Sequence, residues 1–335
     1  MTIQQRATLD DVARLAGVSA KTVSRVFTMR DKVAPDTVKR VLSAATRLRF
    51  RPNTVARSLR RGGATNAAGF IMGELSNPFY YKVASGIERT LAARGMSLVV
   101  ATTDDSPAAE ERVADALLAQ RVGVLLLIPV AGDQSYLEGE RQLGTPVIAL
   151  DRPAQNLVAD SVVLANREGA YRATRHLLDH GHRRIGYVCN PASVYTQAER
   201  VGGYRAAMAE AGISDTSALE RLEDDRTVPP STTVDRLLGE SEPPTAIVSG
   251  NNRMTIGALR ALRARRDETT ALVGFDDFDT ADVIGVTVVS YDPVELGRQA
   301  AELALERISD PTGFTRELVL PTWLIERGTG ERRPG

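Results

Sequence analysis

Apolar positions in the first fifty residues recur at helical spacing, and the pattern breaks at defined points. In LDDVARLAGVSAKTVSRVF, residues 9–27, Val12, Leu15 and Ala16 predict the inner face of a first helix. Thr8 followed three residues later by Asp11 is a capping-box pattern, with Asp10 also in the turn where the helix dipole favours anions. Gly17 stands where a helix C-terminus needs left-handed backbone. Ser19 can cap a short second helix whose Val23 and Val26 face inward. Two helices joined by a glycine turn make a helix-turn-helix. Pro35 fits the first position of a third helix, with Val38, Val41, Leu42, Ala45 and Leu48 at core spacing. Pro52 stops it, and Asn53 can cap a fourth helix with Val55, Ala56 and Leu59 on its apolar side. At about eight residues this helix is too short to be stable alone, so it is expected to order only when something packs against it.

From Ala67 onward the period changes. Short apolar runs (GFIMG, SLVVAT, GVLLLIPV, PVIAL) alternate with helical patterns near 79–94, 107–121 and 134–142. The alternation repeats with RIGYVC, TAIVSG and TALVGF around helices near 197–211 and 253–265. Such alternation predicts parallel sheets built from βαβ units, and so long a segment predicts two lobes. Ligands of open parallel sheets bind beyond the carboxyl ends of strands. Polar and aromatic residues stand there: Asn77, Phe79 and Tyr80 after the first run, Asp151 and Arg152 after PVIAL, Asn251 after TAIVSG, and Asp276 after TALVGF. Arg200 opens a helix after a loop. Any one of these alone reads as a loop cap or surface pair. Together, carboxylates, amides, a guanidinium and an aromatic face are what recognition of a polyhydroxylated molecule needs.

Charge sharpens the picture. The formal net charge is zero, yet residues 1–62 hold 14 Lys/Arg against 4 Asp/Glu, a surplus of ten balanced by the acidic remainder. A basic head on an acidic body is the footprint of a chain that meets a polyanion at one end. The outer face of the second helix carries Ala20, Lys21, Thr22, Ser24 and Arg25. In helix-turn-helix proteins this helix enters the major groove, where Lys and Arg donate to guanine and hydroxyls suit phosphates.

TLDDVARLAGVSAKTVSRVF, LRFRPNTVARSL, SNPFY and HGHRRIGYV together resemble the LacI/GalR family of bacterial transcription regulators, from Thr8 to about Gly328. The resemblance implies an all-α helix-turn-helix DNA-binding head on an α/β body of two Rossmann-like lobes, similar to periplasmic sugar-binding proteins. It implies a homodimer on a near-palindromic double-stranded operator, with Ala20, Lys21 and Arg25 at base-reading positions. Leu59 matches the leucine that wedges into the minor groove. Asp151, Arg200, Asn251 and Asp276 match effector-contacting positions, and Tyr291 and Leu164 fall at variable cleft positions. The implied organisation is a head at 1–52, a hinge at 53–66 and an effector-binding and dimerisation body at 67–335. The first lobe would span about 67–163 and 293–322, the second about 164–292 and 323–335, with the helix near 293–309 in the first lobe and the final strand running through the hinge. Ala34 departs from the family's Ser or Thr cap before the third helix, so a slightly weaker cap is expected. A sugar is the expected effector, with a nucleoside or purine as the alternative. Whether it releases DNA or promotes binding is left open.

Other signals carry less. His176, His180 and His182 have metal-ligand spacing, but no carboxylate or cysteine stands near as a further ligand, and no metal is expected. Asp104–Asp105 and Asp276–Asp277 are expected to diverge in extended backbone and not to form acid/base pairs. No GxSxG, P-loop or GxGxxG pattern occurs, so neither an enzyme nor a cofactor is expected. The single cysteine, Cys189, fits a reducing compartment and a buried strand end. The start MTIQQRATLDDV has no apolar signal region and no apolar run approaches a membrane span, so a cytoplasmic protein is expected. The tail GTGERRPG has no leucine heptads, which favours a dimer over a tetramer. The rival to the regulator is a solute-binding sensor module whose head binds DNA only non-specifically.

Overall fold

The computed structural model describes residues 7–51, 65–130 and 132–335. The chain divides into two compact units, with the boundary between Thr65 and Asn66. The hinge candidates Asn53, Ala56 and Leu59 lie outside the described residues.

The first unit contains α1 (Leu9–Ala16), α2 (Ala20–Thr28) and α3 (Pro35–Arg47). The capping box forms: Thr8 Oγ1 accepts from Asp11 N at 3.2 Å, and Asp11 Oδ2 accepts from Thr8 N at 2.9 Å. Gly17 takes the left-handed conformation at φ 65°, and Ser19 Oγ accepts from Thr22 N to start α2. Ala34 caps α3 without a side-chain hydrogen bond. The core joins Val12, Ala13 and Ala16 of α1 to Val23 and Val26 of α2 and to Val38, Val41, Ala44 and Ala45 of α3. One residue departs from the expected inner face: Leu15 is 44% exposed, and Ala13 takes its place. The small Ala13 and Ala16 face the two neighbouring helices, while Leu15 is left at the rim.

The second unit has two six-stranded sheets. The first runs β11-β5-β4-β3-β1-β2, from β1 (Ala67–Met72), β2 (Ser97–Thr102), β3 (Val124–Leu127), β4 (Val147–Asp151), β5 (Asp160–Leu164) and β11 (Glu317–Leu320). The second runs β12-β10-β9-β8-β6-β7, from β6 (Ile185–Cys189), β7 (Glu220–Leu222), β8 (Ala246–Ser249), β9 (Ala271–Phe275), β10 (Thr287–Ser290) and β12 (Trp323–Ile325). Every pairing is parallel except β10 with β12. Central strands such as β3 (VLLL) and β9 (ALVGF) are buried throughout, as strands covered by helices on both faces must be.

Helices α4 (Pro78–Ala92), α5 (Pro107–Ala119) and the short α6 (Glu138–Gln142) belong to the first lobe. The chain crosses after β5 into α7 (Asn166–Asp179), and α8 (Tyr195–Glu210), α9 (Pro230–Leu238) and α10 (Asn252–Arg265) complete the second lobe. After β10 it returns as α11 (Pro293–Ser309), which packs on α4, and it crosses once more between β11 and β12. The α4–α11 contact is backbone on backbone. A Cβ on Gly86 would collide with the Val294 carbonyl, and one on Gly297 with that of Val83. Among the described residues no helix is long and apolar enough to cross a membrane.

Candidate functional site

Two surfaces carry chemistry, one on each unit. In the head, burial of Val23 and Val26 turns the opposite side of α2 outward. Lys21 and Arg25, one helical turn apart, are exposed there, while Ala20, Thr22 and Ser24 are half-buried. The Thr22 hydroxyl is engaged with that of Ser19 at 2.9 Å, and the Ser24 carbonyl accepts from Thr28 Oγ1 at 2.9 Å. The two cations are therefore what this face presents most fully. Exposed Arg30, Lys32, Lys39, Arg40, Arg47 and Arg49 add to the positive surface of the unit.

In the body, the carboxyl ends of both sheets converge on one cleft of about 460 Å³. Asn77, Phe79, Tyr80, Asp151, Arg200, Asn251, Asp276 and Tyr291 all line it. Asp151 and Asp276 sit where β4 and β9 turn off their sheets, with left-handed φ of 66° and 69°, a conformation aspartate tolerates better than most residues. Arg200, on α8, is the hub. Its Nε donates to Asn166 Oδ1 at 2.7 Å, its Nη1 donates to the Gly250 carbonyl at 2.6 Å and lies 3.3 Å from Asp276 Oδ1, and its guanidinium lies 3.6 Å over the Phe275 ring. Tyr291 donates to Asp276 Oδ1 at 3.0 Å, and its ring meets Phe79 edge-on at 6.0 Å.

The two asparagines also cap helices. Asn77 Oδ1 accepts from Phe79 N at the start of α4, and Asn251 Oδ1 accepts from Met254 N at the start of α10. Tyr80 is buried with its hydroxyl against Gly73, and burial pushes that hydroxyl's pKa up. Leu164 does not line the cleft. It is buried in β5 and borders a separate groove with Tyr171, Tyr195 and Val319.

The cleft is more highly charged than the sequence reading held. Glu74, Asp104, Asp105, Asp224 and Asp225 join it, as do Arg226 and Arg253. Asp104 and Asp105 are not extended: both have left-handed φ, 49° and 53°, because the chain turns sharply at the end of β2. Arg253 bridges the lobes, with Nη1 2.9 Å from Glu74 Oε1 and Nε 3.0 Å from Asp225 Oδ2. Arg226 does the same, holding Asp224 at 3.2 Å and donating to the Asp104 carbonyl at 3.1 Å. Asn252 Nδ2 donates to Asn77 Oδ1 at 3.1 Å, and Lys82 Nζ to Asp279 Oδ1 at 2.8 Å, adding two more ties between lobes.

Burial raises the pKa of Asp151 against the opposing pull of Arg152 and Arg200, and burial likewise raises that of Asp225. Among the described residues, one buried atom of the lining, Gln197 Oε1, has neither a hydrogen-bond nor an ion-pair partner; Arg152 Nε lies 3.6 Å from Asp151 Oδ2, and Asp225 Oδ2 meets Arg253 Nε at 3.0 Å. Buried polar groups are ordinarily paired, so Gln197 Oε1 marks where a bound molecule would complete the wall. The histidines have protein partners. His176 pairs with Glu331 at 2.8 Å, His180 Nδ1 with the His176 carbonyl at 2.8 Å, and buried His182 with Thr245 and the Arg332 carbonyl. Cys189 is buried at the end of β6.

Residues 8–53 match bacterial regulatory proteins of the lacI family, and residues 65–327 match the periplasmic binding proteins and sugar binding domain of that family. The chain belongs to the LacI family of bacterial transcriptional regulators. It is 32% identical over 333 residues to the ribose operon repressor of Escherichia coli (strain K12), covering 96% of this chain and 99% of that one. It is also 32% identical over 314 residues to the transcriptional repressor PurR of Haemophilus influenzae (strain PittEE), covering 90% and 91%. Among solved structures, the lac repressor dimer bound to operator and the anti-inducer ONPF superposes with a TM-score of 0.85 at 26% identity, covering 97% and 99%. A complex of the regulator CelR with cellobiose gives 0.72 at 30% identity, covering 97% and 100%. As a LacI-family member the protein is a DNA-binding repressor with an effector-binding domain, in a family that is not enzymatic.

Proposed function

We propose that this LacI-family repressor binds a near-palindromic operator as a homodimer and responds to a sugar or similar small polar effector held between its lobes. The observation that carries the reading is the presence, in one chain, of a cationic recognition helix and a cleft centred on the Arg200–Asp276–Tyr291 cluster. Lys21 and Arg25 would read base edges, with Ala20 against them and Thr22 and Ser24 near phosphates. Asn53, Ala56 and Leu59 would form the minor-groove segment, a role that rests on their sequence alone. In the cleft, Asp151 and Asp276 would accept from hydroxyl pairs, Arg200 and the two asparagines would donate, and Phe79, Tyr80 and Tyr291 would cover the apolar side of a ring.

Exposed Tyr81 on α4 lies beside Asp279, whose segment carries exposed Val283 and Ile284. That apolar surface is what a second copy would cover. An effector that favours one lobe arrangement then changes how the two heads are presented, by a coupling of about 1–3 kcal/mol. The protein acts in the cytoplasm, where its operator is.

The test is selection of bound duplexes from a random pool at about 0.15 M salt, where surface charges are well screened, with and without a mixture of sugars and nucleosides. An enriched inverted repeat supports the reading, and the condition that abolishes it gives the sign of the effector. Absence of any enrichment in both conditions would leave a solute sensor with a non-specific head. Leu59→Ala is expected to weaken specific binding far more than non-specific binding, and equal losses would count against the wedge.

A further inference from the structure

We infer that the cleft takes its polyhydroxylated ligand only in a form without phosphate or carboxylate, so that the regulator tells a free sugar or nucleoside from its phosphate ester. The inference rests on the effector reading of this cleft and adds the ligand's charge class to it.

The lining holds seven carboxylates and four guanidinium groups, so its field is negative. Each guanidinium stands beside a carboxylate. Arg200 is 3.3 Å from Asp276, Arg226 3.2 Å from Asp224, Arg253 2.9 Å from Glu74, and Arg152 3.6 Å from Asp151. A phosphate recruits guanidinium forks that face it without a competing anion. Here it would have to displace Asp276 from Arg200, leaving a largely buried carboxylate uncompensated, which is strongly unfavourable.

Helix N-termini do not supply the missing charge. Those of α4 and α10 are closed by their own asparagine caps. The N-terminus of α8 opens without a side-chain cap, which by itself would favour an anion. Asp225 lines the same cleft, its backbone N–H donating at 3.3 Å to Oδ1 of Asn190 in the loop that leads into α8.

The free acceptor in the wall fits a hydroxylated ligand instead. Gln197, 5% exposed, presents an acceptor with no partner among the described residues, and Asp225, 9% exposed, presents a carboxylate whose Oδ2 already meets Arg253 Nε at 3.0 Å. A hydroxyl can donate to Gln197 Oε1, whereas a fully ionised phosphate can only accept and would meet that oxygen and the Asp225 carboxylate as repulsive contacts.

The test uses the full chain and matched probes: D-ribose with ribose 5-phosphate, D-glucose with glucose 6-phosphate, and adenosine with adenosine monophosphate. Binding is read by calorimetric titration up to millimolar concentrations. The expected result is that at least one neutral member binds and that its ester binds more than tenfold more weakly. An ester within tenfold of its parent, or no neutral member binding at all, overturns the inference. Because Gln197 Oε1 has no partner among the described residues, Gln197→Leu is expected to leave the Tm of the ligand-free protein unchanged while weakening the neutral ligand by about tenfold. Unchanged affinity would remove Gln197 from the argument. Operator selection run alongside separates the two failures: specific DNA binding without neutral-ligand binding overturns the charge class alone, and loss of both overturns the effector reading itself.

Discussion

At the scale of single residues, the cleft sets function against stability. Asp151 is buried and its folded pKa is raised above the ordinary 3.8. The unfolded chain therefore ionises this group more readily, and the native state loses stability as pH climbs from the ordinary value through the raised one. The loss is complete only above the raised value. Asp151→Asn should raise Tm at neutral pH, with the gain shrinking toward zero in acid below the ordinary carboxylate range, while effector binding falls. Melting curves of both proteins across pH decide it; a gain that persists unchanged in acid would mean that ionisation is not the cause.

Arg200 behaves oppositely. Arg200→Met strands Asp276 and removes the bonds to Asn166 and Gly250, so a loss of about 3 kcal/mol in denaturant unfolding is expected. Asp151 and Asp276 were legible in the sequence because strand ends are where open sheets bind ligands, and Arg200 was legible by its match to an effector-contacting position of the family. Gln197 was not, because it lies inside a helical pattern where nothing separates a cleft-facing amide from a solvated one. Asp224 and Asp225 were missed with their strand: β7 is three half-buried residues and offers no apolar run.

At the scale of elements, glycines fix what apolar periodicity cannot. Gly17 has open space around its absent Cβ, so Gly17→Ala meets no clash and isolates the backbone cost of φ 65°. A loss of about 1–2 kcal/mol is expected in the stability of the head, read from operator binding as temperature rises, with Gly17→Asn recovering most of it. Gly297 is the reverse case, a helical glycine whose Cβ would enter the α4 backbone. Gly297→Ala should cost about 1–3 kcal/mol and lower the Tm of the body. A neutral effect would mean that α11 can shift away from α4 without loss.

Long buried strands and capped helices could be read from the chain because their patterns are local. The strands β5, β10 and β12 could not. β12 is three residues long and gains its place only by pairing antiparallel with β10 across more than thirty residues of sequence. The expected single closing strand is in fact two, β11 and β12, placed in different sheets.

At the scale of the molecule, the sensor works only if its lobes can change their relation, and the ties across the cleft mouth set that balance. Arg226 and Arg253 reach from the second lobe to Asp104 and Glu74 of the first with side chains 51% and 42% exposed. Exposed pairs of this kind contribute about 0.2–1 kcal/mol each and weaken with salt. Replacing both, as Arg226→Gln with Arg253→Gln, should then shift the closed-to-open ratio about fivefold, the equivalent of about 1 kcal/mol. The only cysteine, Cys189, is buried, so spin labels can be placed cleanly by Leu75→Cys and Thr227→Cys, exposed neighbours in the chain of the lining residues Glu74 in the first lobe and Arg226 in the second. The double variant should show a longer label-to-label distance at low salt, and the parent should approach it as salt rises. Coincident distributions at every salt concentration would mean that the lobes are held by the hinge strands and buried contacts alone, and the surface arginines would then have no part in setting the response.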